Sequence, residues 1–279
     1  MGFLMRNLKI LILLLLAIAL PSKRLCASHP VSYLTDDYVT VIIHGTRLPL
    51  VSSVLRYCFA STQGFYSYLE LQNMGKSLTL LNNFHIANPI LFPTDKLYSF
   101  GWDGKLSVCA RKRAAHDLYF HLIELRKKLP ATTKIRIISH SHGGNVVLHL
   151  AEEEAVHKIP LVIDQFIIMA CPVQEQTKQF VTNPLFKSVL ALFSNSDIVQ
   201  IADPQGFFDE NCSEKTLSER TFPQSERLLQ LRINHFRHQD FLKISFICLL
   251  PRVIEFAYTH QQQIQQTTAN NNLIEPAML

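Results

Sequence analysis

Several chemistries are missing from this sequence. It has no glycine-rich phosphate loop, which removes the usual means of cradling a nucleotide's phosphates. No group of His, Cys, Asp and Glu has metal-ligand spacing, so no metal centre is expected, and no cofactor. The six cysteines, Cys26, Cys58, Cys109, Cys171, Cys212 and Cys248, contain no short-spaced pair. That argues against a zinc finger and a dense disulfide framework while leaving room for one disulfide. Internal repeats are absent, and there is a single tryptophan, Trp102. Charged residues make up only 18% of the chain, with a formal net charge of +5. The basic residues cluster only at Arg111–Arg113 and Arg126–Lys128, within one helix-like segment, which reads as a solvated helix face rather than a nucleic-acid surface.

What is present is apolar. Hydrophobic residues form 48% of 279 positions, enough for one sizeable core in one domain. The long unbroken apolar run, Ile10 to Leu20, follows Arg6 and Lys9 and has the length of a signal-peptide core rather than a membrane span. Residues 1–27 therefore read as a signal peptide, with Leu25-Cys26-Ala27 as its cleavage region, or as an N-terminal membrane anchor of similar sequence. The expected localisation is export: periplasmic, secreted, or held at a membrane by that segment.

Downstream, apolar strand patterns alternate with helical ones. Strands are expected at Val39–Ile43, Tyr98–Trp102, Lys134–Ile138, Leu161–Ala170, Ser188–Phe193 and Arg227–Ile233. Helices are expected at Ser107–Leu129, stopped by Pro130, and from about Gly143 to His157. This order implies an α/β fold with a mostly parallel central sheet and helices on both faces, spanning residues 28–258. Within it, about 47–97 lacks a clean period and is rich in aromatics and leucines, so it reads as an insertion or cover region. Residues 259–279 are Gln/Asn-rich and read as a flexible tail.

The informative stretch is "IRIISHSHGGNVVLHL", Ile135 to Leu150. A buried strand ends in a serine flanked by histidines, followed by two glycines and a helix. Such a sharp turn strains the serine's backbone, needs small neighbours on either side, and projects Oγ of Ser141 beyond the strand. Gly143 is one small neighbour; Ser139 stands where glycine is commoner. Ser141 is thus a candidate nucleophile, with a plain helix N-cap as the simpler alternative. A serine needs a base and an orienting acid. Asp197, just past one strand, is a candidate acid with Asp203 as rival; His238, just past the last strand, is a candidate base with His235 as rival. His44 reads as a support beneath the loop after the first strand.

With "HSHGGNV" at His140–Val146, "VIIHGT" at Val41–Thr46, "SNSDIVQ" at Ser194–Gln200 and "RHQDFL" at Arg237–Leu242, the chain resembles the α/β-hydrolases of the serine esterase and lipase kind. The segment "GWDGKLSVCARKRAAHDL" at Gly101–Leu118 is similar to the strand and helix before the nucleophile in some bacterial members. The resemblance runs over most of Val39 to Phe256. It implies Ser141 as nucleophile, Asp197 as acid and His238 as base, in the chain order of that fold, with backbone N–H groups of Thr46 and His142 as oxyanion donors. It implies cleavage of a carboxylic ester, of a small molecule or a lipid, through an acyl-enzyme and without a cofactor. Acyl transfer or thioester cleavage by the same residues, or a catalytically silent hydrolase fold serving as an interaction protein, are the other readings.

Overall fold

The computed structural model describes residues 37–46, 62–202, 217–257 and 273–274. Residues 1–36, including the expected leader, lie outside them, as does Asp203. No helix among the described residues is long and apolar enough to cross a membrane.

The centre is a sheet of eight strands: β1 (Tyr38–Ile43), β2 (Gly64–Ser67), β3 (Leu97–Gly101), β4 (Lys134–His140), β5 (Gln165–Met169), β6 (Val189–Phe193), β7 (Leu228–Ile233) and β8 (Leu273–Ile274), in the order β2-β3-β1-β4-β5-β6-β7-β8. Only β2, at one edge, runs antiparallel to its neighbour. The inner strands are rich in Val, Ile and Leu and buried on both faces, as expected when helices cover both sides of a parallel sheet. Alternate residues feed two cores. Val39, Val41, Ile43, Ile135 and Ile137 join one cluster, whereas Ile42, Ile138, Ile167 and Met169 join the other. This is the architecture of the α/β-hydrolase fold.

The first core is covered by α3 (Val108–Lys128), α4 (Gly143–Leu148) and α5 (Leu150–His157). Helix α3 begins where the Ser107 hydroxyl accepts a hydrogen bond from Ala110 N, and it ends with Arg126, Lys127 and Lys128 beside the negative end of its dipole. Its buried residues Ala110, Ala114, Ala115, Leu118, Leu122 and Leu125 recur three and four apart, so one stripe faces the sheet. Each buried leucine contributes about 1.5–3 kcal/mol by leaving water. The second core is covered by α1 (Tyr68–Asn73), α2 (Thr79–Ala87), α6 (Ile244–Ile247) and a helix over 250–257. The described part of the 47–97 region therefore contributes an edge strand and two helices. Cys248 is disulfide-bonded, whereas Cys109 and Cys171 are thiols outside any disulfide.

One expectation needs correction. The strand expected from Leu161 is regular only from Gln165, because the Asp164 carboxylate accepts the N–H of Ile135, and Ile163 makes only an isolated bridge to Phe186. Within the Gln/Asn-rich tail, the described residues Leu273 and Ile274 pair with Arg232 and Ile233 as β8.

The chain leaves β1 for β3 on one side and, after α3, enters β4 on the other, so the direction of winding changes between β1 and β4. In open α/β sheets, ligands sit at such a switch point beyond the carboxyl ends of the strands.

His149 joins α4 to α5 and is 1% exposed. Its Nδ1 lies 3.0 Å from Glu152 Oε2, and its Nε2 is buried without a partner. Burial outweighs the Glu152 carboxylate, and with Arg111 nearby the imidazole is lowered to a pKa of about 4. The folded state keeps this ring neutral, whereas the unfolded chain takes up a proton below about 6.5. The stabilisation is therefore present above that pH and is lost as pH falls toward 4. In urea unfolding across this window, His149→Leu is expected to flatten the pH dependence of stability by up to about 3 kcal/mol. An unchanged slope would show that the ring is not held neutral.

Candidate active site

The site assembles from strand register. Ile43 of β1 pairs with Ser139 of β4, so two residues further on Gly45 stands level with Ser141. Ser141 has φ of 55°, in the left-handed region that costs a non-glycine residue about 1–3 kcal/mol. The strain is held by its surroundings: Ser141 N–H donates to Met169 O at 2.9 Å, and Ser141 O accepts from Gly144 N at 2.9 Å.

Two glycines allow the neighbouring loop to close on this turn. A Cβ on Gly45 would lie 2.5 Å from Ser141 Cβ and 3.1 Å from its Oγ. A Cβ on Gly143 would lie 2.6 Å from His44 O and 3.0 Å from Ile43 O. Both contacts are too short for any side chain. Beneath this loop His44 and Trp102 form a clamp, with rings stacked at 5.9 Å. Trp102 N–H donates to His44 Nε2 at 3.2 Å, and Trp102 Nε1–H donates to His44 O at 2.9 Å. An acceptor role at Nε2 places the proton on Nδ1, which donates to Gly45 O at 2.5 Å. The expected supporting part for His44 fits this geometry.

Ser141, His238 and Asp197 form a hydrogen-bonded chain. His238 Nε2 is 2.9 Å from Ser141 Oγ, and His238 Nδ1 is 2.8 Å from Asp197 Oδ2. His235 is exposed, at φ of 63°, and does not join this chain. The difference lies in anchoring. His238 opens a 3-10 turn, His238–Leu242, in which the Asp240 carboxylate accepts the N–H of Arg237 at 2.7 Å, and Phe241 packs on Phe236 and Phe246.

Asp197 is fully buried. Its Oδ1 accepts Gln200 N at 3.2 Å, leaving Oδ2 for the histidine. The acid loop is pinned by Arg220, whose guanidinium donates to the carbonyls of Ser194, Asn195 and Asp197 at 3.0–3.2 Å. Gln200 Nε2–H ties the same loop to Cys171 O at 3.0 Å. On the opposite side, buried His140 bonds through Nε2 to the backbone oxygen of His238 at 2.8 Å, with the two rings 4.7 Å apart. Burial, and secondarily the neighbouring His238, push the His140 pKa well below its usual value. It stays neutral, and since the carbonyl can only accept, its Nε2 carries the donated proton.

The expected oxyanion donors directly follow Ser141 and Gly45 in sequence. His142 is buried at the start of the helical run, and Thr46 follows Gly45 directly. The Thr46 hydroxyl is buried with no hydrogen-bond partner, as is that of Ser139. A serine against a histidine whose far nitrogen meets a buried carboxylate can lose its proton during attack on a carbonyl. Gln200, Arg220, the role of His140 and the Thr46 hydroxyl went unseen in the sequence, because they act through contacts between distant segments. The flanking histidines of the motif were the one available signal.

No protein-family model matches the chain, and no curated protein does. Its solved structural neighbours include an arylesterase, at 12% identity and a TM-score of 0.40, covering 91% of this chain and 90% of that one. Another is an alpha-beta serine hydrolase homologue from Coxiella burnetii, at 16% identity and a TM-score of 0.42, covering 77% of this chain and 83% of that one. A third is a hyperthermophilic esterase from the archaeon Pyrobaculum calidifontis, at 10% identity and a TM-score of 0.41, covering 84% and 79%. Likenesses this distant assign no residue its role, and the chemistry stands on the chain's own geometry.

Gly143 opens a helix, where alanine would ordinarily stabilise by up to about 1 kcal/mol. The Cβ would here meet backbone rather than a movable side chain, and overpacking of that kind costs about 1–3 kcal/mol. Gly143→Ala is therefore expected to lower stability in urea unfolding at neutral pH. A gain would show that the loop after β1 does not approach the turn so closely.

Proposed function

We propose that this chain is a serine hydrolase that cleaves a carboxylic ester through an acyl-enzyme intermediate. The observation that carries the reading is the Ser141–His238–Asp197 hydrogen-bonded chain at the switch point of the sheet. Ser141 Oγ attacks the ester carbonyl while His238 Nε2 takes its proton. Asp197 keeps the proton of the neutral ring on Nδ1 and stabilises the imidazolium that forms. The backbone N–H groups of Thr46 and His142, joined by the Thr46 hydroxyl, hold the oxyanion of the tetrahedral intermediate. His238 then protonates the departing alkoxide, and a water molecule activated by the same ring releases the acid.

The substrate side of this reading favours an apolar ester, of a small molecule or a lipid. Ile198, next to the acid, is 51% exposed, and Leu217, close in sequence to Arg220, is 66% exposed. The leader-like segment at residues 1–27 supports export, with the mature enzyme acting outside the cytoplasm or at a membrane surface.

Hydrolysis of p-nitrophenyl esters of increasing acyl length tests the reading. Ser141→Ala is expected to reduce turnover to background, and Asp197→Asn to lower kcat about 10⁴-fold through loss of the correct tautomer. His235→Gln is expected to stay within about twofold, since this exposed ring lies outside the hydrogen-bonded chain. Turnover that survives Ser141→Ala would place the chemistry elsewhere.

A further inference from the structure

Outside the candidate active site, His116 of α3 and Glu153 and His157 of α5 converge, and their ligand atoms all lie within 4.8 Å of one another. We propose that these three side chains form a binding site for a divalent transition-metal ion of the zinc class, tying the end of α5 to α3.

The geometry is that of a metal site's corners. Glu153 Oε2 lies 2.9 Å from His116 Nδ1 and 3.4 Å from His157 Nε2. A tetrahedral zinc with arms of about 2.0–2.1 Å separates its ligand atoms by about 3.3–3.4 Å. Of the three edges, one is thus already at that length, a second needs about half an ångström of expansion, and the third, between the two imidazole nitrogens, lies within 4.8 Å. Two imidazoles and one carboxylate are a ligand set that suits zinc, and its open fourth position would take water.

The set is also oriented before any ion arrives. Glu153 and His157 are four residues apart, on the same face of α5. The His157 ring packs edge-on to Phe120 at 4.9 Å and stacks on Tyr119 at 5.8 Å. The His116 ring packs edge-on to Phe120 at 5.0 Å. Phe120 therefore lies against both imidazoles, fixing ring planes that would otherwise have to be ordered on binding. Glu153 is only 17% exposed in its side chain, yet His116 is 51% exposed, so an ion can reach the cluster from solvent.

Each imidazole binds in its neutral form through the lone pair of the ligating nitrogen, Nδ1 of His116 and Nε2 of His157, with its one ring proton on the other nitrogen, while Glu153 binds as the carboxylate. The ion crosslinks the last turn of α5, just before Lys158 at φ of 56°, to the middle of α3. Its role is structural, because it binds the helices that cover the first core and touches none of Ser141, His238 or Asp197.

The test is zinc titration of the full chain, carrying no polyhistidine tag, by calorimetry and thermal unfolding. The expected result is about one zinc per chain, with Tm raised by about 5 °C at a hundredfold excess over Kd. His116→Ala and Glu153→Gln, each checked for folding by circular dichroism, are both expected to weaken binding by more than about a hundredfold, beyond the roughly 10–100-fold that loss of an outer-shell partner costs. Glu153→Gln guards against misreading a packing effect, since it preserves shape. No zinc binding by the folded wild type would overturn the site. Binding unchanged in either variant would overturn it too, placing the zinc on other groups such as exposed Cys109.

Discussion

The rest of the site depends on one strained residue. Ser141 is held at a left-handed φ at the end of a strand buried on both sides, a conformation that a serine does not adopt by preference. The turn persists because β5 accepts its N–H through Met169 and because the loop after β1 closes over it. That closure depends on what Gly45 and Gly143 lack. The same strain that lifts Oγ out of the strand direction also starts a helix immediately behind it. A side chain and a helix N-terminus thereby come to face one cleft.

Around this point the molecule spends many buried polar groups on placing a single imidazole. Asp197 reaches His238 from a loop held by Arg220 and Gln200, and the backbone of His238 is held by neutral His140. Each of these contacts joins segments far apart in sequence, and each lies where water is largely excluded. In such surroundings a hydrogen bond is strong and an unpaired polar group is costly. The network therefore fixes geometry as much as it contributes stability. The buried hydroxyls of Ser139 and of Thr46, the residue after Gly45, are exceptions among these groups, with no hydrogen-bond partner.

The inner strands were legible in the sequence because a parallel sheet covered on both faces needs near-continuous apolar runs. The Ser141 turn was legible because few other needs combine a strand end, small residues and an immediate helix. The choice of His238 over His235 was legible only as a preference, from the Gln239-Asp240-Phe241 run that reads as a helix start; what anchors His238 is the Asp240 cap and the aromatic packing of Phe236 and Phe241, which only tertiary structure supplies. The start of β5 was misplaced for a related reason: Asp164 takes with its side chain an N–H that pattern alone assigns to the ladder. The His116–Glu153–His157 cluster stayed hidden because His116 comes from another helix, 37 positions away from Glu153.

The central claim is that this environment turns Ser141 into a nucleophile. The most direct measurement is treatment of the folded chain with a fluorophosphonate reagent, followed by mass spectrometry to locate the adduct. The account predicts a single phosphonylated residue, Ser141, and no adduct in the Ser141→Ala chain. A folded protein that remains unlabelled, or carries the adduct on another serine, would contradict it.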